Sequence, residues 1–344
     1  MHMADALLSP VVGATMWAGS MAAIGYSSKK LKENIDNKTI PLMGVMGAFI
    51  FAAQMINFTI PGTGSSGHIG GGMILAVLLG PYAAFLAMAS ILTVQSLFFA
   101  DGGLLALGCN IWNLGIYPCF IAYPLIYKPI AGDGKNARQI YIAAIVSAII
   151  ALQLGAFSVV LETIFSGKSE LPFGTFVLLM QPIHLAIGLV EGIITAGIIS
   201  YVKKVRPEIL QASNILRPLN ASISIKNVLV AFVILAVITG SAFSWFASTH
   251  PDGLEWSIER VTGKGELAEA TQGIAPALKE IQEKTAFLPD YGFKPVVKGE
   301  PKEDEAPAWP GIEAGTSVAG IVGGAIVLMF ILFIGFGIRL FKKQ

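Results

Sequence analysis

Charged side chains are scarce in this sequence, and long stretches contain none. Only 13% of the 344 residues are charged, against 54% hydrophobic residues, and the mean hydropathy is +0.69. Soluble domains carry about a quarter charged residues, so the composition excludes an ordinary soluble protein and predicts a polytopic membrane protein. The formal net charge of +1 also argues against nucleic acid as a partner.

Cysteine is nearly absent, and the common catalytic motifs are missing. Cys109 and Cys119 lie ten positions apart inside an apolar run without a CxxC pattern, so neither a disulfide framework nor a zinc knuckle is expected. The Gly-Lys-Ser segment 167–169 resembles the end of a phosphate-binding loop, but Glu162 stands where that pattern requires glycine. We therefore expect no ATP hydrolysis by this chain. The sequence also shows no catalytic triad and no carboxylate pair that would indicate an enzyme of another kind.

Apolar runs recur through the chain, and a bilayer span needs about 20 such residues. We identify nine runs: 10–26, 41–58, 70–80, 82–99, 103–127, 139–165, 174–202, 226–247 and 314–338. The short run 70–80 either forms a half-helix or joins 82–99 through a kink at Pro81. The expected fold is an all-α membrane bundle of about seven runs, followed by a two-helix module.

A charged stretch that contains prolines separates the two parts. We predict a membrane domain, a cytoplasmic linker and a two-helix accessory module, at 1–204, 205–225 and 226–344. The two helices of the module flank a polar segment, 248–313, in which one short helix is expected near 264–285, weakened by Pro276. This segment lacks a convincing cluster of ligands. We therefore expect it to face outside and to act on loading or transport rather than as the main metal site.

The distribution of basic residues predicts the orientation, because cytoplasmic loops are enriched in Lys and Arg. If Met1 lies outside and every run crosses, the inner segments contain most of the basic residues, and the short outer loops contain only Lys168. We therefore expect a multi-pass protein of the cell membrane, with the N-terminus and the loop 59–69 both outside.

Histidine is rare as well, but two of the four histidines suggest a metal site. The Met1 α-amine, the His2 amide nitrogen and the His2 Nδ1 can close a five-membered and a six-membered chelate ring in one plane. His68, in the glycine-rich stretch 62–72, can supply a fourth nitrogen. Four planar nitrogens suit Ni(II), Cu(II) or low-spin Co(II), and suit tetrahedral Zn(II) badly. The alternative is a Met-His start that arose by chance and an ordinary polar loop residue.

Other polar residues are candidates for a supporting shell or an inward path, since polar side chains in membrane spans tend to face the protein interior. Asn57 lies at the end of the second run, and Asn110 and Asn113 share a helix face. His184 and Glu191 lie two turns apart on one face, and His184 is the second choice as a metal residue. The alternative for these residues is hydrogen bonding between packed helices.

Four segments together resemble one known family: MHMADALLSP, GSSGHIGGG, LFFADGGLLALGCNIWNLG and HLAIGLVEGIIT. They are similar to the CbiM/NikM family, the substrate-capturing membrane subunits of cobalt and nickel energy-coupling-factor transporters, over about residues 1–204. The segment THPDGLE (249–255) resembles the small accessory subunit of the same systems, here fused at the C-terminal end.

The resemblance implies three metal-binding residues. Met1 would bind through its amine, His2 through its amide nitrogen and its ring, and His68 through its ring. The resemblance also implies no cofactor other than the transported Co(II) or Ni(II), and as partners a transmembrane scaffold subunit and two ATP-binding-cassette ATPases. The sequence does not choose between the two ions, because both accept four nitrogens. The alternatives are a passive metal channel, a membrane-anchored metal sensor and, with less support, a membrane enzyme.

Overall fold

Helices dominate the computed structural model, which describes residues 2–134, 136–168, 172–215, 224–264, 273–294 and 310–340. In chain order the helices are α1 (Pro10–Asn34), α2 (Thr39–Gln54), α3 (Gly72–Leu79), α4 (Pro81–Phe99), α5 (Leu107–Ile111), α6 (Lys128–Ala131), α7 (Ala137–Ser166), α8 (Phe173–Val205), α9 (Pro207–Ile215), α10 (Lys226–Ser241), α11 (Gly253–Thr262), α12 (Ala275–Thr285) and α13 (Ala314–Leu340). A π-helical stretch, Trp112–Tyr127, joins α5 to α6 in one continuous helix.

Four helices in the described ranges are long and apolar enough to cross a membrane, namely α4, α7, α8 and α13, and α2 and α10 are shorter apolar helices. The expected all-α membrane bundle is therefore confirmed. The sequence analysis did not anticipate the antiparallel hairpin between α2 and α3, which pairs β1 (Phe58–Ile60) with β2 (Ser65–Gly67).

The short run 70–80 forms a half-helix, the first of the two expected possibilities. Gly80, with φ +78°, ends α3, and Pro81 stands in the first turn of α4. Gly71, with φ +75°, precedes α3, and a side chain there would collide with Ile50. Because L-residues with a Cβ rarely adopt these backbone conformations, the two glycines set the ends of α3 and the path of the preceding loop.

The helices α7 and α8 pack closely because two glycines on α8 remove side chains from their interface. A Cβ at Gly188 would lie 2.7 Å from the Cα of Ile149, and one at Gly192 would collide with the backbone of Ile145. This close contact determines which face of α8 points into the protein. His184 and Glu191 lie on the buried part of α8, with 1% and 2% exposure.

The accessory module packs directly on the membrane domain. Val327 and Ile331 of α13 are buried against α2, where Gly44 and Gly47 leave room for the side chains of α13. The predicted linker contains α9, and Ser213 Oγ on this helix donates a hydrogen bond to the Val77 carbonyl of α3. The rest of that linker, 216–223, lies outside the described residues.

The polar segment contains two described helices rather than one. The first, α11, was not expected, and the second, α12, begins at Ala275 instead of near 264. Pro276 lies in the first turn of α12, where its missing N–H removes no helical hydrogen bond. Proline therefore marks the start of this helix and does not weaken its interior. Residues 265–272 lie outside the described part of the chain.

Candidate metal centre

The rings of His2 and His68 lie face to face. Their centroids are 5.1 Å apart and their planes differ by 19°. His2 comes from the extended N-terminal segment and His68 from the loop between β2 and α3, so two segments that are 66 residues apart meet here. The structure thus brings together the two side chains that the sequence nominated as metal ligands.

The N-terminal segment is held in this position by hydrogen bonds to the α4–α5 region. The Met3 N–H donates to Asn110 Oδ1 at 2.8 Å, and the Met3 carbonyl accepts from the Gly103 N–H at 2.9 Å. Asp5 Oδ1 accepts from the Ala106 N–H at 2.9 Å. Met3 is fully buried, so the residue beside the candidate chelate is anchored by both packing and hydrogen bonds.

The two ring nitrogens of His2 have different surroundings. Its Nδ1 lies 3.2 Å from Asp101 Oδ1, whereas its buried Nε2 has no hydrogen-bond partner among the described residues. Burial lowers the pKa of His2 to about 3, so the ring is neutral near pH 7 and its contact with Asp101 is not an ion pair. A neutral imidazole is the form that binds metals.

His68 is oriented so that its outer nitrogen can act as a ligand. Its Nδ1 lies 2.9 Å from the Ile69 carbonyl, which requires a proton on Nδ1 and leaves the lone pair on Nε2. Burial lowers the pKa of His68 to about 4, so this ring is also neutral near pH 7. Such a backbone hydrogen bond is a common way to fix the tautomer of a metal-binding histidine.

Glu191 holds the loop that carries His68. Its Oε2 accepts from the Gly70 N–H at 2.7 Å, and the amides of Gly71 and Met73 also donate to this carboxylate. The first amides of a helix lack partners within the helix, and α3 has no side-chain cap of its own. Glu191 therefore serves as the cap from another helix, which favours a supporting role over the alternative of a cation path.

We predict that Glu191→Gln weakens metal binding about 10–100-fold, the range typical of lost outer-shell partners. The glutamine side chain lacks the negative charge that now attracts several backbone N–H groups of the loop. His68 therefore loses its fixed position. Calorimetry of the purified protein with Ni(II) and Co(II) provides the measurement. Glu162→Gln is a matched control, since Glu162 is also a buried carboxylate but accepts from Asn113 instead of the loop. Equal affinities of the two variants would contradict this role.

The other predicted polar residues have different partners. Asn110 bonds the N-terminal segment, which agrees with a supporting shell. Asn113 Nδ2 instead donates to Glu162 Oε2 on α7 at 2.9 Å, as expected for packing between helices. The Asn57 carbonyl accepts from the Ser248 N–H at 2.7 Å, so this residue contacts the accessory module.

The THPDGLE segment of the accessory module lies directly on the loop that carries His68. Ser66 donates through its N–H to the Pro251 carbonyl at 2.8 Å and through Oγ to the His250 carbonyl at 2.7 Å. Asp252 caps α11 through a reciprocal capping box with Glu255. These contacts were not visible in the sequence, because the partners are separated by more than 180 residues.

The remainder of the module covers the His2 side of the site. Gln282 Nε2 of α12 donates to the Gly102 carbonyl at 2.8 Å, and the Tyr291 hydroxyl donates to Asp101 Oδ2. A cavity between the module and the membrane domain is lined by His2, Asp101 and 16 further residues. Neither Asp101 nor Tyr291 is among the candidate site residues of the sequence analysis.

Within the described residues, no group of three or more His, Cys, Asp or Glu side chains stands in metal-binding geometry. A chelate by Met1, His2 and His68 would not form such a group, because it uses only two side chains. Its other two donors are an amine and an amide nitrogen.

Comparison with solved structures defines the class of the protein. Two crystal structures, described as a transition metal transporter and a truncated transition metal transporter, match with TM-scores of 0.53 and 0.52 at 30% sequence identity. They cover 63% and 60% of this chain, and 100% and 99% of their own chains, respectively. The chain is therefore a polytopic membrane protein with the fold of a transition metal transporter.

Sequence comparison identifies the family. Residues 2–209 match the cobalt uptake substrate-specific transmembrane region, CbiM, and residues 226–340 match the PDGLE domain. A protein of Archaeoglobus fulgidus, named as a fused nickel transport protein NikMN, is 34% identical over 95% of this chain and 96% of its own length. The fused nickel transport protein NikMN of Rhodobacter capsulatus is 29% identical over 85% of this chain and 88% of its own length. The chain belongs to the CbiM family of cobalt and nickel transport proteins, and it carries a fused PDGLE domain.

Proposed function

We propose that this chain captures Ni(II) or Co(II) at the outer face of the membrane as the substrate-binding subunit of an energy-coupling-factor transporter. The Met1 amine, the His2 amide and Nδ1, and His68 Nε2 would bind the ion. The observation that carries the proposal is the face-to-face placement of the two neutral imidazoles, 5.1 Å apart. Membership of a cobalt and nickel transport family supports the choice of ion.

Binding would require a small rearrangement at His2. The His2 ring would carry its one proton on Nε2 and turn Nδ1, which now lies near Asp101, to the ion, and the His68 ring already presents Nε2. The amine and the amide must lose a proton to ligate, and the two rings must be neutral. Burial holds the pKa values of both rings well below 7, so the rings already meet this requirement.

The energy for transport would come from partners. A transmembrane scaffold subunit and two ATP-binding-cassette ATPases would complete the transporter, as in the systems that the sequence resembles. The test is uptake of radioactive nickel and cobalt into cells with and without the partner genes, before and after ATP depletion. Uptake that needs the partners and ATP supports the proposal. Uptake by this chain alone, unaffected by ATP depletion, would establish the passive channel instead.

The PDGLE module would act on loading rather than as the metal site. All four proposed donors lie within residues 1–68, whereas the module contributes Pro251, Gln282 and Tyr291, which contact the loops around these donors. We therefore expect deletion of 226–344 to leave equilibrium binding within about tenfold of the full chain and to reduce uptake strongly. The solved relatives that match only about 60% of this chain support independent folding of the membrane domain. Loss of binding in the purified, folded truncation would refute this division of labour.

A point variant tests the same contact in the full chain. Gly253 lies so close to α8 that a Cβ would be 2.7 Å from the Ile183 side chain and 3.3 Å from His184 Cε1. Gly253→Val should therefore separate α11 from α8 and reduce uptake in the same way as the deletion. Gly197→Val is the matched control, because a Cβ at Gly197 meets nothing within 4 Å.

A further inference from the structure

We propose that His184 and His68 form a second position for the transported ion, beside the capture site on the side that faces the accessory module. This inference rests on the proposed function and adds a step to the loading of that site. It is independent of the choice between nickel and cobalt.

The position is a narrow cavity between the loop that carries His68, α8 and the start of α11. His68 and His184 line this cavity together with Asp252, Gly67, Gly70, Leu114, Leu152, Ile187 and Gly253. The outer cavity, in contrast, is bordered by His2 and not by His68 or His184. His68 therefore stacks on His2 and also borders the space that leads to His184.

His184 has a free lone pair that the capture site does not use. Its Nδ1 lies 2.8 Å from the Met180 carbonyl, so the proton is on Nδ1 and the lone pair on Nε2. That is the only hydrogen bond of this side chain within the described residues, and its exposure is 1%. Buried polar groups are normally paired, and a neutral imidazole with an open Nε2 is a common metal ligand.

The lining of the cavity matches the chemistry of a divalent ion in transit. Two imidazoles and Asp252, whose Oδ1 also caps α11, line a space with apolar walls of Leu114, Leu152 and Ile187. Imidazole suits Ni(II) and Co(II), and a carboxylate adds negative charge. The side chains in the described structure do not form a closed three-ligand group, so the ion would be held weakly here. Weak binding is what a transit position requires, because the ion must also leave.

The place of the cavity follows from the contacts of α8. His184 lies against Gly253 of the accessory module, whereas Gly67 lies against Ile187 and the Gly70 N–H donates to Glu191, about one and two turns further along α8. The cavity therefore lies on the side of the His68 loop that faces the accessory module, and this position would serve the loading of the capture site. The structural alternative is that His184 only packs against Gly253.

The first experiment separates capture from transfer in the full-length protein. His184→Ala and the better-packed His184→Gln should bind the first equivalent of Ni(II) with an affinity within about threefold of the wild type. Uptake in cells that contain the partner subunits should fall at least about tenfold, an effect of the size expected for a lost metal contact. His250→Ala, at an exposed histidine, should change neither quantity. Wild-type uptake in both His184 variants would overturn the proposal.

The second experiment detects the position itself. In His2→Ala, which removes the planar chelate, Co(II) should still bind weakly through His68 and His184, with an absorption spectrum that differs from that of the wild type. His2→Ala/His184→Ala should lose this residual spectrum, and identical spectra of the two variants would show that no second position exists. Wild-type Co(II) binding by His2→Ala would instead refute the proposed capture site, so the two failures are distinguishable.

Discussion

Insertion of two alanines between Met1 and His2 will abolish high-affinity binding of Ni(II) and Co(II), although every side chain is retained. The chelate depends on the direct bond between these residues, because only adjacent donors close the five-membered and six-membered rings. We expect a loss of at least about a thousandfold, or ~4 kcal/mol, in calorimetry of the purified protein. Met3 is fixed by Asn110 and Gly103, so the lengthened end cannot be accommodated by a shift of the segment.

Two further insertions sharpen this test. One inserted alanine places histidine third in the chain, where the amine, two amides and the ring supply four nitrogens by themselves. That variant should bind metal without His68, whereas the natural sequence should not. Two alanines inserted after Gly263, an exposed position of the accessory module, provide the control. Unchanged affinity after insertion of two alanines between Met1 and His2 would show that the N-terminal backbone is not a ligand.

His68→Ala will weaken binding strongly, by about a hundredfold or more, because it removes one of four nitrogens and leaves a buried gap beside His2. Its absorption spectrum with Ni(II) should change as well, since the fourth equatorial position passes to another ligand. His250→Ala should have no effect on affinity, because this exposed residue contacts the loop only through its backbone carbonyl. If the two variants bind alike, His68 is not the fourth ligand.

The helices could be predicted well because the bilayer imposes a length on each apolar run. The runs 82–99, 139–165 and 314–338 became α4, α7 and α13 with ends that differ by only a few residues. The short run 70–80 was ambiguous because its apolar sequence fits both a separate half-helix and a helix that continues into 82–99. The conformation of Gly80 and its packing context decided in favour of the half-helix.

Part of the proposed site could be predicted from the sequence for a different reason. Met1 and His2 are covalent neighbours, so their chelate geometry is a property of the chain itself. The expected side of the membrane is inferred from the distribution of basic residues, which adds up evidence from many positions. His68 could therefore be nominated as the nitrogen donor on the same side, although its distance from His2 could not be known.

What the sequence determined by itself was therefore local or additive: the membrane class, the helical runs and the nomination of Met1 and His2 as a chelate. Only the tertiary structure decided which partner each polar side chain has. Asn110 and Asn113 lie three residues apart on one face, yet one bonds the N-terminal segment and the other bonds Glu162. Glu191 caps a helix that begins 119 residues earlier in the chain, at Gly72. A hydrogen bond acts over about 3 Å, so these pairings depend on how whole helices pack, which no short sequence window specifies.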